Sequence, residues 1–511
     1  MPGAPDTHGE YDLLVVGGGI NGTGIARDAA GRGLRVALCE QHDLASHTSS
    51  ASTKLIHGGL RYLEHFELRL VSKALQEREV LIASAPHIMW PLRFVMPHAP
   101  HLRPAWLIRL GLFLYDNLAR RRYLPGSRRV ALRRHAAGKP LVHAFHTGFI
   151  YSDGWVDDAR LVVLNAKDAA EHGADIFTRT RCTQLKRNAQ LWQATLQPEH
   201  APPLDLQARA VVNATGPWVA DFLRSATTLT SSSHVRLIKG SHIVVRRLFE
   251  HSYAYIFQGV DKRIVFAIPY ERDFTLIGTT DVEYVGDPTV VQITPDEIEY
   301  LCTMVNAYFT EHVSRADVVW SYAGVRPLLD DQSSDASSVT RDYHLELDQH
   351  GAPLLSVFGG KLTTYRRLAE DAMARMAPLL GSHARPWTAR SALPGGDLPQ
   401  ADFARFARGL RTRFAWLPAD LRRRYARAYG SRVAQLLAGV ASVEDLGVEV
   451  LPGLYAREID YLRREEWAVT AADILWRRSK LGLHLPMDSE IRLSQWLNAH
   501  PLSAANNNTA A

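Results

Sequence analysis

The residues with the clearest chemical potential stand near the start of the chain. Gly17-Gly18-Gly19-Ile20-Asn21-Gly22 follows the apolar run Tyr11 to Val16 and opens a helical pattern. In this spacing the first glycine makes a tight turn, Gly19 admits a pyrophosphate against bare backbone, and Gly22 lets the helix pack on the strand. The helix N-terminus adds N–H donors and a partial positive charge. Glu40 closes the next apolar run, Leu34 to Cys39, 18 residues beyond Gly22. There it can accept hydrogen bonds from both hydroxyls of an adenosine ribose, which favours a dinucleotide with a free 2′-OH, FAD or NAD. A second group comprises Arg61, Arg326 and Lys361, each beside a glycine-containing turn rather than on a helical face. Cations so placed suit a phosphate monoester, which carries roughly 1.5 to 2 negative charges and offers only acceptor oxygens. His57 and His242 add imidazoles able to move a proton near neutral pH.

These groups need a scaffold, and the apolar pattern supplies one. From Asp12 to about Arg61 the chain reads strand, helix, strand, then the polar loop Ser46 to Lys54, either a linker or, preferably, a cofactor-lining segment. Helices are expected over 67–88 and Asp157 to Gly173. The run Ala208 to Asn213 reads as a strand ending in Ala214-Thr215-Gly216, a second approach of bare backbone to the nucleotide. Residues 234–282 alternate apolar and polar and are rich in Val, Ile and Phe, which predicts an inserted antiparallel sheet for substrate. Pro353 to Phe358 is a further strand, and Gly359-Gly360-Lys361 offers a second helix N-terminus to the cofactor. Pro394-Gly395-Gly396-Asp397 reads as a linker to a helical, Arg-rich segment over 400–500. The expected class is mixed α/β (α+β): a discontinuous, Rossmann-like nucleotide domain (8–70, 151–225, 325–392), a substrate or cap region (71–150, 226–324), an all-helical C-terminal domain (393–502) and a disordered tail (503–511).

At 511 residues the chain exceeds one compact core, and its 46% hydrophobic and 22% charged residues read as ordinary globular protein. A net charge of +6 is compatible with an anionic metabolite, a membrane surface or simply a solvated Arg-rich face. No nucleic-acid module accompanies it. Cys39, Cys182 and Cys302 lie far apart, without a CxxC pair, so neither zinc nor a disulfide framework is expected and a reducing cytosol fits. The first ten residues carry no export or organelle signal. Asp281 and Asp330-Asp331 lack calcium-loop spacing and read as turn or ion-pair carboxylates, with no metal expected.

Gly17 to Gly22, Ser49 to Tyr62, Lys239-Gly240-Ser241-His242, Gly278-Thr279-Thr280-Asp281, Gly324-Val325-Arg326-Pro327 and Phe358 to Arg366 together closely resemble the FAD-dependent, aerobic glycerol-3-phosphate dehydrogenases of bacteria. The resemblance runs from about Asp12 to about Leu497. It implies an FAD domain of the glutathione-reductase type, a D-amino-acid-oxidase-like substrate domain and a helical C-terminal domain. The implied reaction is oxidation of sn-glycerol 3-phosphate to dihydroxyacetone phosphate in glycerol catabolism, with hydride passing from C2 to flavin N5 and electrons onward to membrane quinone. Arg61, Tyr62 and Lys361 are implied to grip phosphate and glycerol oxygens, with Thr279 a further contact. Arg326 is implied to orient the C2 oxygen and stabilise alkoxide charge. The proton acceptor stays open among His57, His242, Arg326 and water, and His57 can instead pack beside the isoalloxazine. FAD contacts are expected from Gly17, Gly19, Gly22, Glu40, Ser49, Ser50, Lys54, Leu55, Ala214, Gly216, Gly360, Lys361, Leu362 and Thr363.

Quinone lies in a bilayer, so peripheral contact is expected at the inner face of the cell membrane from a cytoplasmic enzyme. Trp106, Leu107, Ile108, Leu110, Leu112, Phe113, Leu114 and Tyr115, flanked by Arg103, Arg109 and Arg120 to Arg122, combine apolar anchors with cations. A buried helix with a basic end is the alternative. The stretch is interrupted by Arg109 and is shorter than the roughly 20 residues that span a bilayer. A homodimer is compatible with the sequence. The competing functions are an oxidase using O₂, an amine or amino-acid oxidase, and a non-enzymatic flavin-binding scaffold.

Overall fold

The computed structural model describes residues 9–60, 63, 67–99, 102–227, 229, 231, 233, 235–259, 261–329 and 343–502. The expected substrate residues Arg61 and Tyr62, the pair Asp330-Asp331 and the tail 503–511 lie outside them.

Two sheets organise the fold. The first orders strands β17 (His344–Asp348), β18 (Leu354–Phe358), β10 (Leu204–Asn213), β1 (Glu10–Val16), β2 (Val36–Cys39) and β7 (Asp175–Phe177), with β9 (Trp192–Pro198) on β10 and β8 (Thr180–Arg187) on β9. From β18 to β7 the pairing is parallel. Its central strands are apolar on both faces because helices cover both. On one side α1 (Ile20–Gly31), α4 (Asp158–Glu171) and α7 (Tyr365–Met376) enclose a core of Leu13, Val15, Ile25, Leu38, Val212 and Met373. On the other, α5 (Val219–Ala226) covers Leu14, Val211 and Trp192.

The second sheet orders β15 (Val282–Glu283), β11 (Val235–Arg246), β14 (Phe274–Gly278), β13 (Ile264–Tyr270), β12 (Ala254–Gln258), β4 (Met89–Pro97), β6 (Thr147–Val156) and β3 (Leu55–Ile56), with β16 (Val318–Leu329) on β11 and β5 (Arg128–Ala131) on β6. Its core joins Phe94, Tyr151 and Ile268 to the inner residues Leu112 and Tyr115 of α3 (Ala105–Asn117) and to Val71 and Leu75 of α2 (Leu68–Ser84). On the opposite face, α6 (Pro295–Asn306) packs Leu301, Cys302 and Val305 against Ile243, Val265 and Ile277.

Three expectations need amendment. The boundaries at 150/151 and 324/325 fall inside β6 and β16, which are long strands of the second sheet, so strands at both breaks belong to the substrate layer. The inserted sheet is antiparallel except where β12 pairs in parallel with β4. The C-terminal domain, α8 (Phe403–Arg413), α9 (Ala419–Tyr429), α10 (Val433–Leu436), α11 (Ala456–Glu465) and α12 (Ser489–Ala499), is helical but also contains the hairpin β19 (Glu449–Leu451) and β20 (Leu454–Tyr455). That domain is clamped to the nucleotide domain by buried ion pairs. Arg160 is paired with both oxygens of Glu466, and Arg478 with Asp43 at 2.5 and 2.8 Å.

Candidate active site

A cavity of about 500 Å³ is lined by Gly17, Gly19 and Glu40, by Ala214 and Gly216, and by Gly360 to Thr363, His57, Thr279 and Arg326. The nucleotide fingerprint and Lys361 from the first sheet and Arg326 from the second therefore share one space.

The β1–α1 turn is as tight as its glycines require. A Cβ on Gly22 would lie 1.9 Å from the carbonyl oxygen of Gly17, so no side chain fits there. Glu40 ties the turn down, its Oε2 accepting from Gly18 N at 2.7 Å and its Oε1 from His42 N at 2.8 Å. Burial raises its carboxyl above the ordinary range, against the pull of the His42 and Gly18 amides. Each carboxylate oxygen retains a second lone pair for a ribose hydroxyl. Ser49 Oγ accepts from Ile20 N at 3.0 Å, which fixes the 46–54 loop onto the helix start. The neighbouring His47, in the wall beside Trp218, is pushed down to about 4 by burial and then by His42 and Arg477, and so is neutral.

The Gly359-Gly360-Lys361 turn is joined to the fingerprint helix through Asn21, whose Nδ2 donates to Gly359 O at 3.1 Å. Asn21 Oδ1 is buried in the cavity wall with no hydrogen-bond partner in the protein. With the glycine cradle, Glu40 and the Gly359-Gly360-Lys361 turn, the donor and acceptor set fits FAD.

Arg326, on β16, reaches across Gly240 of the neighbouring strand to pair with Asp281 and to donate from Nη2 to Thr279 Oγ1 at 3.1 Å. Only a glycine at 240 permits this, since a Cβ would stand 2.2 Å from Arg326 Nη2 and 2.7 Å from Thr279 Oγ1. Beneath lies a buried hub. Glu297 Oε1 accepts from Ser241 Oγ and Thr280 Oγ1, both at 2.9 Å, and its Oε2 pairs with Lys239 Nζ at 2.8 Å. Burial acts to raise the Glu297 carboxyl, but Lys239 and the Thr294, Thr280 and Ser241 donors together hold it below its ordinary value.

Not every expected residue meets the cavity. Gly17, Gly19, Glu40, Ser49, Leu55, Ala214, Gly216, Gly360, Lys361, Leu362, Thr363, His57, Thr279 and Arg326 line it. Gly22, Ser50, Lys54 and His242 do not line it. Lys54 is turned into the protein, its Nζ 2.7 Å from Asp158 Oδ1 and 3.1 Å from Ser50 O, where it anchors the 46–54 loop to α4. His242 is fully buried, stacked on Tyr322, with Nε2 2.9 Å from Thr53 Oγ1. Burial first, then Arg326 and Lys54, holds it far below the usual imidazole range, so it is neutral behind the wall. Asp281, Gly240, Glu297 and Asn21 were missed as site residues. Asp281 closes the Gly278-Thr279-Thr280-Asp281 string and is an ion-pair carboxylate as expected, but its partner is the central arginine. Among the described residues no cluster of His, Cys, Asp and Glu could hold a metal, and no helix is long and apolar enough to cross a membrane.

Comparison with known proteins agrees with this arrangement. Residues 12–366 match the family model described as FAD dependent oxidoreductase, and residues 386–490 match the C-terminal domain of alpha-glycerophosphate oxidase. A glycerol-3-phosphate dehydrogenase of Pseudomonas aeruginosa is 56% identical over 96% of both chains. A D-erythritol 1-phosphate dehydrogenase of Brucella abortus is 50% identical over 95% of this chain and 97% of that one. The solved glycerol-3-phosphate dehydrogenase of Bacillus halodurans, complexed with FAD, superposes with a TM-score of 0.76 at 28% identity, covering 96% of this chain and 95% of that one. The chain belongs to the FAD-dependent oxidoreductase family and, within it, to the glycerol-3-phosphate dehydrogenases.

Proposed function

We propose that this chain oxidises sn-glycerol 3-phosphate to dihydroxyacetone phosphate and passes the electrons to membrane quinone. The observation that carries the reading is the meeting, in one cavity, of a dinucleotide cradle with Lys361 and an Arg326 held by Thr279 and Asp281. FAD, when bound, supplies the two-electron acceptor for the C2 hydride. Lys361 grips the phosphate, with Arg61 and Tyr62 added by the family resemblance. Arg326 donates to the C2 oxygen and stabilises its charge as the proton leaves. Its guanidinium does this without losing a proton of its own, and Asp281 fixes its plane. Of the two histidines considered, His57 lines the cavity while His242 is buried behind it, so His57 is assigned as the proton acceptor.

The membrane contact is assigned to α3. Trp106, Leu110, Phe113 and Leu114 are exposed on its outer side, Trp106 at 68%, while Leu112 and Tyr115 face the core. An exposed apolar face of that kind beside arginines suits an anionic lipid surface.

One alternative has its own support. The 50% identity to a D-erythritol 1-phosphate dehydrogenase favours a longer polyol phosphate as a second substrate reading. Anaerobic addition of each polyol phosphate to the holoenzyme, followed by flavin bleaching, decides between them. Bleaching by sn-glycerol 3-phosphate with the higher reduction rate constant over apparent Kd supports the proposal, and preference for the four-carbon substrate overturns it.

A further inference from the structure

We propose that Tyr115, Asp153 and Arg78 form a buried positioning unit that fixes the His57-Gly58 segment at the rim of the active site. The inference rests on the reading of His57 as proton acceptor. Strand β3 is only two residues long, so the chain leaves the second sheet just before His57 and loses ladder support where a reacting group must be held. The next backbone amide is held instead by side chains. Gly58 N donates to Tyr115 Oη at 2.9 Å and to Asp153 Oδ1 at 3.1 Å. Tyr115 Oη donates to the same Asp153 Oδ1 at 2.6 Å. Arg78 Nη1 completes the cluster, 2.5 Å from Asp153 Oδ1, 3.0 Å from Ser152 O and 3.3 Å from Tyr115 Oη.

The three side chains come from α2, α3 and β6 and are almost wholly buried. A buried ion pair is a weak source of stability, because desolvation offsets its Coulomb energy and an apolar trio of similar volume packs about as well. What this cluster adds is direction: three groups from three elements converge on one loop amide. Arg78 pairs with Asp153 Oδ1, the shared acceptor of the cluster. Burial and the Asp153 charge hold the Tyr115 hydroxyl protonated, so it donates to the carboxylate and accepts from Gly58. There is no slack, since a Cβ on Gly58 would lie 2.6 Å from Tyr115 Oη and 2.3 Å from Leu75 Cδ2. A displacement of about 1 Å at a reacting group can cost up to about 100-fold in rate.

The test uses holoenzyme carrying Tyr115→Phe, with Asp153→Asn as the second variant. Flavin reduction by saturating sn-glycerol 3-phosphate is followed anaerobically from about pH 6 to 9, per bound flavin, beside FAD content and thermal midpoint. Tyr115→Phe is expected to keep its FAD, to be reduced about tenfold more slowly, and to show a displaced pH midpoint of reduction. A merely structural cluster would lower the thermal midpoint and leave the rate per bound flavin and its pH midpoint unchanged. That result overturns the proposal, as does loss of FAD from both variants, which would make the cluster a folding element. His57→Asn separates the two claims. If it is reduced like wild type the assignment of His57 as base fails, whereas the cluster is judged by the Tyr115→Phe rate.

Discussion

Replacement of Gly240 by alanine is a small perturbation with a large expected effect. The new Cβ would stand 2.2 Å from Arg326 Nη2, 2.8 Å from its Cζ and 2.7 Å from Thr279 Oγ1. Ordinary contact lies near 3.4 Å, so the guanidinium must retreat by more than about 1 Å and give up its 3.1 Å bond to Thr279. Its tip is the flexible end of a long side chain, so the fold absorbs the clash, but the donor geometry at the C2 oxygen does not survive. A misplacement of this size costs up to about 100-fold in the chemical step, or roughly 2.7 kcal/mol of activation free energy. FAD affinity should be unchanged, because the atoms nearest the new Cβ belong to Arg326 and Thr279 and none to the Gly17 turn or Glu40. Anaerobic stopped-flow reduction at saturating substrate measures the step directly. Reduction of Gly240→Ala holoenzyme within about threefold of wild type would refute the placement of Arg326 at the reacting oxygen.

Glu40→Gln removes the charge that accepts from Gly18 N and His42 N and would receive the ribose hydroxyls; FAD dissociation should strengthen by about 10- to 100-fold, read by flavin fluorescence on dilution. His87 is wholly buried, neither ring nitrogen has a hydrogen-bond partner, and burial followed by Arg160 and Arg427 pushes it down to about 3. Its folded value lies below its unfolded one, so its contribution is fully present above about pH 6.5 and is lost on acidification at up to about 1.4 kcal/mol per pH unit. His87→Leu should therefore lose less thermal midpoint than wild type between about pH 7 and 5, and an equal loss in both would contradict the linkage. Phe113→Asp on the outer side of α3 should abolish flotation with anionic vesicles at low salt while leaving flavin reduction intact, and undiminished flotation would remove α3 from the membrane contact.

The β1–α1–β2 unit was legible because each of its parts speaks locally: apolar strands, glycines at fixed offsets, and an acid at the second strand end. The turn at Gly359 to Lys361 was legible for the same reason. The domain boundaries were not, because β6 and β16 are assigned to a sheet by partners far away in sequence, β4 and β11. Histidine 242 illustrates a second limit. It shares a strand face with Gly240 of the site, yet its ring is stacked on Tyr322 and its Nε2 lies 2.9 Å from Thr53 Oγ1, and it does not line the cavity. Lys54 is expected among the FAD contacts, whereas Asp158, 104 residues on, draws it inward. Gly240 carries no side chain to announce a role, and only the cross-strand reach of Arg326 reveals why nothing larger is there.

A cavity that holds FAD and a polyol phosphate in reacting contact must let the substrate alone reduce the flavin. Anaerobic titration of the purified yellow holoenzyme with sn-glycerol 3-phosphate tests it in a single spectrum. The visible flavin band should bleach with formation of stoichiometric dihydroxyacetone phosphate, and the colour should recover on adding a quinone analogue. A flavin band that persists in saturating substrate would contradict it.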